Sequence, residues 1–172
     1  MKLLIKESEI KSTIARLGSE ISNDYRDSSL TILGVLTGSV VFLADLIRHI
    51  DVPLHVDLIR ASSYNGTKAT GNVLIPLDAH SPDIYKRDVL IVDDIFDTGK
   101  TLERITDYIK DEGASSISSV VLLWKEIDRL IDIEPHYFGF KIPEVFVVGY
   151  GLDYNGKYRN LSHIATLDNS DL

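Results

Sequence analysis

Apolar side chains at Ile10, Ile14, Leu17 and Ile21 recur every three or four residues, the spacing of one helix face. They predict a helix over residues 8–25, with Ser8 as its cap. Thr31–Leu36, TILGVL, reads as a short buried strand. It runs through Thr37, Gly38 and Ser39 into a second helical pattern from Val40 to about Ile50. Val52–Arg60 alternates well enough for another strand. Residues 61–72 are polar, small and twice broken by glycine, the composition of a long hairpin tip or a mobile loop. A short strand is expected at Val73–Leu77, then a turn through His80, Ser81 and Pro82. The strongest run is VLIV, Val89–Val92, a fully apolar strand that stops at two aspartates. A turn containing Gly99 leads to a helix from about Lys100 to Glu112. Ile117–Leu123 is a further buried strand, ending at Trp124 and Lys125. Val145–Val148 is read as the last central strand, closed by Gly149, Tyr150 and Gly151.

Strands alternating with helices imply an α/β fold of parallel β-α-β units. In such sheets the polar residues just beyond the strand ends line the ligand crevice. The 172 residues suit one domain, 1–172, and a hydrophobic content of 44% supplies a real core. The balance of 18 Lys plus Arg against 26 Asp plus Glu gives a net charge of -8, which disfavours a general nucleic-acid surface. A phosphorylated substrate stays open, because backbone amides and a metal can invert the sign locally. The absence of cysteine removes disulfides, thiolate catalysis and cysteine-based metal sites, and fits a reducing cytoplasm. The first twenty residues carry no long apolar run, so neither a signal peptide nor a membrane span is expected.

Chemistry concentrates after the VLIV strand. Asp93, Asp94 and Asp97 crowd its end, and they repel one another unless a cation or hydroxyl donors satisfy them. Thr98, Gly99, Lys100 and Thr101 then open a helix whose free N–H groups and hydroxyls can cradle a phosphate. Acidic residues often only solvate a loop, and Thr-Gly often only caps a helix. The two halves in direct succession describe a site for a molecule with diol hydroxyls at one end and phosphate at the other, such as a ribose 5-phosphate. The segment is not a Walker A loop, because it lacks the earlier glycine. His49, His55, His80, His136 and His163 show no ligand spacing and are assigned to no metal.

VLIVDDIFDTGKT resembles the 5-phosphoribosyl-1-pyrophosphate motif of the type I phosphoribosyltransferases. Further segments look like the hypoxanthine-guanine, purine-salvage branch: GVLTGSVVFLADLIR at Gly34–Arg48, VDLIRASSY at Val56–Tyr64, Lys125 after a strand, and VFVVGYGLDYNGKYRNL at Val145–Leu161. The resemblance runs in order from Leu30 to Leu161. It implies a mostly parallel central sheet flanked by helices, a small hood lobe from the N-terminal and C-terminal segments, and a flexible lid loop over about 62–71. Ser63 and Tyr64 resemble the serine-tyrosine pair of that lid.

The resemblance also implies roles. Asp93 and Asp94 accept from the ribose 2- and 3-hydroxyls, directly or through Mg2+, with Asp153 as a further metal contact. The family usually has Glu-Asp where this chain has Asp93-Asp94. Asp97 sits at purine N7 as general base or proton carrier, and residues 97–101 hold the 5-phosphate. Leu36, Thr37 and Gly38 resemble the pyrophosphate loop, in which the peptide entering the second residue is often cis. Several relatives carry lysine at the Thr37 position, so Arg159 takes part of that load here. Phe146 stacks on the base, Lys125 donates to the exocyclic O6, and backbone groups of Val147 and Asp153 read the pyrimidine edge. Trp124 is read as a core aromatic.

The implied reaction moves the 5-phosphoribosyl group from 5-phosphoribosyl-1-pyrophosphate to N9 of a 6-oxopurine, hypoxanthine or guanine, as a homodimer or homotetramer. Two alternatives remain: a xanthine-preferring enzyme, and a nucleotide-binding regulator on the same fold.

Overall fold

The computed structural model describes residues 1–60, 82–129 and 131–167. Chain order is β1 (Lys2–Ile5), α1 (Glu7–Asp24), β2 (Leu30–Leu36), α2 (Val40–Leu46), β3 (Leu54–Arg60), β4 (Asp88–Phe96), α3 (Lys100–Asp111), β5 (Ser116–Lys125), β6 (Tyr137–Ile142), β7 (Val147–Val148) and β8 (Ile164–Thr166). A five-stranded sheet in the order β3-β2-β4-β5-β6 has every neighbouring pair parallel. A smaller antiparallel sheet, β1-β8-β7, joins the first strand to the last two.

The core has two layers, and β4 shows why its sequence is apolar throughout. Leu90 and Val92 pack with Ile10, Ile14, Leu17 and Ile21 of α1 and with Phe42 and Leu46 of α2. Val89 and Ile91 face the other way, onto Leu102, Ile105 and Ile109 of α3. A central parallel strand is covered on both faces, so alternation disappears from its sequence. Truncating Leu90 or Ile91 to alanine should cost about 2–5 kcal/mol.

The structure corrects several boundaries. Ser8 does not cap α1. Lys6 occupies the cap position, and its N–H donates to the Glu9 carboxylate at 3.0 Å, half of a capping box. The second helix ends at Leu46 and tightens into a 3-10 turn over Ile47–His49, and Ile50 after it is extended. The third strand starts at Leu54, after Pro53, which has no N–H to give a ladder. β4 does not stop at Asp93 but continues to Phe96, with Asp93 opposite Val121 and Phe96 opposite Trp124. The last central strand is Tyr137–Ile142, whose Gly139 and Lys141 hide it from a hydrophobicity reading. Val147–Val148 belongs to the small sheet instead, paired with Thr166 and Ala165. The strand expected at Val73–Leu77 lies outside the described residues. Among the described residues no helix is long and apolar enough to cross a membrane.

Candidate active site

The ends of β2, β4 and β5 carry the predicted residues to neighbouring positions. β2 ends at Leu36, and the Leu36–Thr37 peptide is cis. Ser39 anchors this turn from inside, donating its buried hydroxyl to the Val35 carbonyl at 2.5 Å. Gly38 lies against β4, where a side-chain methyl would overlap the Asp94 carboxylate. Gly151, at φ +100°, lies against Gly38 in turn, and a methyl there would overlap the Gly38 carbonyl. The loop after β2, Asp94 and the turn after β7 therefore pack as one unit.

Asp93 and Asp94 are half-buried on the strand, and the Asp94 N–H donates to Asp93 Oδ1 at 2.9 Å. Burial pushes the Asp93 carboxyl well above the usual carboxylate range, and the adjacent Asp94 charge raises it further. Burial also raises Asp94, while its hydrogen bonds and the positive charge of Arg159 pull the other way. Two carboxylates placed so unfavourably suit a site completed by a bound cation or by hydroxyl donors.

Arg159 is held in place twice over. Its Nη1 donates to the Gly151 carbonyl at 2.6 Å, and its Nη2 lies 2.7 Å from Asp153 Oδ1. Asp153 Oδ2 accepts from the Gly156 N–H at 2.8 Å. Both Asp153 oxygens are thus engaged. Among the described residues no group of three His, Cys, Asp or Glu side chains is gathered closely enough to hold a metal ion by itself. Here the Asp153 carboxylate buttresses Arg159. Asp93 and Asp94 present a hard, all-oxygen donor pair, which fits Mg2+ sharing its remaining positions with substrate oxygens.

The turn expected to hold the 5-phosphate follows β4. Thr98 and Lys100 are exposed, Thr101 is half-buried, and Gly99 sits at φ +81° as the residue that opens α3. The positive φ favours glycine at Gly99, and a side chain there would also have to displace the end of the Ile131 side chain. The first N–H groups of α3 have no partner within the helix and can meet a phosphate.

Lys125 ends β5, and its Nζ lies 2.9 Å from Asp97 Oδ2. The lysine side chain is only 14% exposed, whereas Asp97 is 47% exposed. A mostly buried cation is therefore aimed at an accessible carboxylate. Phe146 is 44% exposed, unusual for so large an apolar ring, and Tyr154 meets it edge-on at 5.5 Å. Val147 follows it, buried in β7. Trp124 packs edge-on against Phe96 at 5.6 Å and Phe138 at 5.1 Å, the structural role expected of it. Ser63 and Tyr64 lie outside the described residues.

Sequence reasoning missed Arg129, Tyr154 and Gly151. Arg129 reaches the carbonyls of both Asp97 and Lys125. Its only local signal is a charge four residues after Lys125, which reads as a solvated loop.

This fold and these strand-end residues define a class, and comparison with known proteins agrees. The family model described as the phosphoribosyl transferase domain matches residues 5–155. The chain belongs to the phosphoribosyltransferase family. Within it, sequence and structure fall with the hypoxanthine-guanine enzymes. A hypoxanthine-guanine phosphoribosyltransferase of Staphylococcus epidermidis is 45% identical over 166 residues, 96% of this chain and 92% of the relative. A hypoxanthine phosphoribosyltransferase structure from Staphylococcus aureus superposes with a TM-score of 0.90 at 44% identity, covering 97% of this chain and 91% of that one. A hypoxanthine-guanine phosphoribosyltransferase from Bacillus anthracis gives a TM-score of 0.88 at 36% identity, with 98% of each chain covered.

Proposed function

We propose that this chain transfers the 5-phosphoribosyl group from 5-phosphoribosyl-1-pyrophosphate to N9 of hypoxanthine or guanine, releasing pyrophosphate and forming IMP or GMP. The observation that carries the base assignment is the Lys125–Asp97 pair at 2.9 Å. Purine O6 and N7 share one edge of the ring. A donor beside an acceptor at this spacing suits that edge, with Lys125 donating to O6 and Asp97 facing N7.

In the reaction N9 bonds to the sugar C1, the C1–O bond to pyrophosphate breaks, and the proton on N7 passes to Asp97. The accessible Asp97 carboxylate is within reach of such a proton, while Lys125 orients the ring. Residues 97–101 hold the 5-phosphate. Amides of the Leu36–Gly38 turn, together with Arg159, take the pyrophosphate charge. Asp93 and Asp94 face the ribose diol. With substrate oxygens they would hold Mg2+, which when bound supplies positive charge against the leaving pyrophosphate. Phe146 offers its open face to the base, with stacking worth roughly 1–3 kcal/mol. Backbone groups of Val147 and Asp153 read the pyrimidine edge.

We assign the work to the cytoplasm, supported by a chain without cysteine. We assign the assembly as a homodimer or homotetramer, with the α2 face as the contact. Exposed Val40 supports that face, and sedimentation showing only a 19.2 kDa species would refute it.

Competition among hypoxanthine, guanine, xanthine and adenine tests the function. A 6-amino group faces Lys125 with a second donor and forfeits a charge-assisted bond of roughly 1.5–3 kcal/mol, so adenine should be at least about tenfold slower. Adenine turning over as fast as hypoxanthine sinks the base-side assignment. Xanthine winning keeps the mechanism and changes the preferred base.

A further inference from the structure

β4 and β5 are in ladder register as far as Phe96 and Trp124. Asp97 lies one residue beyond the end of β4, so no strand pairing holds it. Arg129 stands where that pairing stops. Its Nε donates to the Asp97 carbonyl at 2.7 Å, and its Nη2 to the carbonyls of Phe96, at 3.4 Å, and of Lys125. Nη1 donates to the Ile127 carbonyl at 3.2 Å. The guanidinium also lies over the Phe96 ring, 4.5 Å from its centroid. Two residues on, Ile131 closes against Gly99 of the phosphate turn.

We propose that Arg129 is a positioning residue that locks Asp97 and Lys125 into one rigid donor–acceptor unit for the base. The inference rests on the transferase function given above. It goes beyond that function by naming what fixes the distance between two groups carried on different strands. Four carbonyl contacts from one side chain require a planar fork with five donors in fixed directions. A lysine carries the same charge but only a compact ammonium, and cannot span both strand ends. Without the fork, Asp97 drifts relative to Lys125, and a displacement of about 1 Å can lower rate roughly a hundredfold.

The test is a double-mutant cycle with Arg129→Lys and Asp97→Asn, assayed with hypoxanthine and phosphoribosyl pyrophosphate, with circular dichroism to confirm folding. Alone, Arg129→Lys should lower kcat/KM by roughly tenfold or more. In the Asp97→Asn background the loss should be clearly smaller, because one of the two groups Arg129 positions has already lost its chemistry. A single variant within twofold of wild type overturns the inference, as does an equal loss in both backgrounds. Should Arg129→Lys fail to fold, the unmodified protein decides by nuclear magnetic resonance. A slowly exchanging Arg129 Nε–H supports the lock, and exchange as fast as that of exposed arginines refutes it. An inactive wild-type enzyme would refute the transferase function instead, a distinguishable failure.

Discussion

Gly38 and Asp94 touch across two strand ends, with no room between them for a single methyl group. The contact ties the expected pyrophosphate loop to a carboxylate expected at the ribose diol. Gly38→Ala should therefore push the loop and Asp94 apart while leaving the distant core intact. The expected result is a fall of about a hundredfold in kcat/KM for phosphoribosyl pyrophosphate, from misplacement on the 1 Å scale. Steady-state kinetics with saturating hypoxanthine checks it, and a near-wild-type value would mean that the loop yields freely.

Asp97→Asn keeps the shape of the side chain and removes its capacity to take a proton. Turnover should fall by at least about tenfold, within the ~10²–10⁴ range usual for acid–base groups or just below it. The thermal midpoint should move little, because Asp97 is 47% exposed and its ion pair with Lys125 is partly solvated. Turnover close to wild type removes the proton-carrier role.

Metal removal tests the Asp93–Asp94 pair. Exhaustive chelation should lower activity by at least about a hundredfold, the scale of several kcal/mol of charge stabilisation. Mg2+ should restore it, and Mn2+ should substitute, since the donors are all oxygen. Activity that survives chelation would assign the leaving-group charge to Arg159 and backbone amides alone.

The Tyr150 hydroxyl donates to the Asp45 carboxylate, linking the turn after β7 to α2. Burial raises the Tyr150 pKa, and the Asp45 hydrogen bond and charge raise it further. A raised folded-state pKa contributes stability that is present below the unfolded value, near 10 for tyrosine, and is lost as pH rises above it. Tyr150→Phe should lower stability near pH 7 by about 1 kcal/mol. It should also flatten the loss of stability above about pH 10. Urea melts across pH 7–11 measure both effects, and an unchanged alkaline slope would count against the linkage.

What the sequence determined by itself was local. The segment from Val89 to Thr101 combines a strand buried on both faces, a run of carboxylates and a glycine-opened helix. Each part has a short-range signature: period, charge crowding, or a φ that only glycine takes easily. The α1 face was equally legible, because Ile10, Ile14, Leu17 and Ile21 are all fully buried as their spacing requires. The tertiary structure alone decided which strands share a sheet. VFVV at Val145–Val148 is as apolar as a central strand, yet only Val147–Val148 forms a strand and it pairs in the small sheet, while the more polar Tyr137–Ile142 takes the edge beside β5. Apolar content records burial, not the identity of the neighbour. The meeting of Gly38 with Gly151 and the reach of Arg129 to two strand ends were likewise unreadable, and the Lys125–Asp97 pair across 28 residues was expected only through the family resemblance. Contacts between residues far apart in the chain leave no periodicity behind. They exist only once parallel register has brought the ends of β2, β4 and β5 to the same side of the sheet.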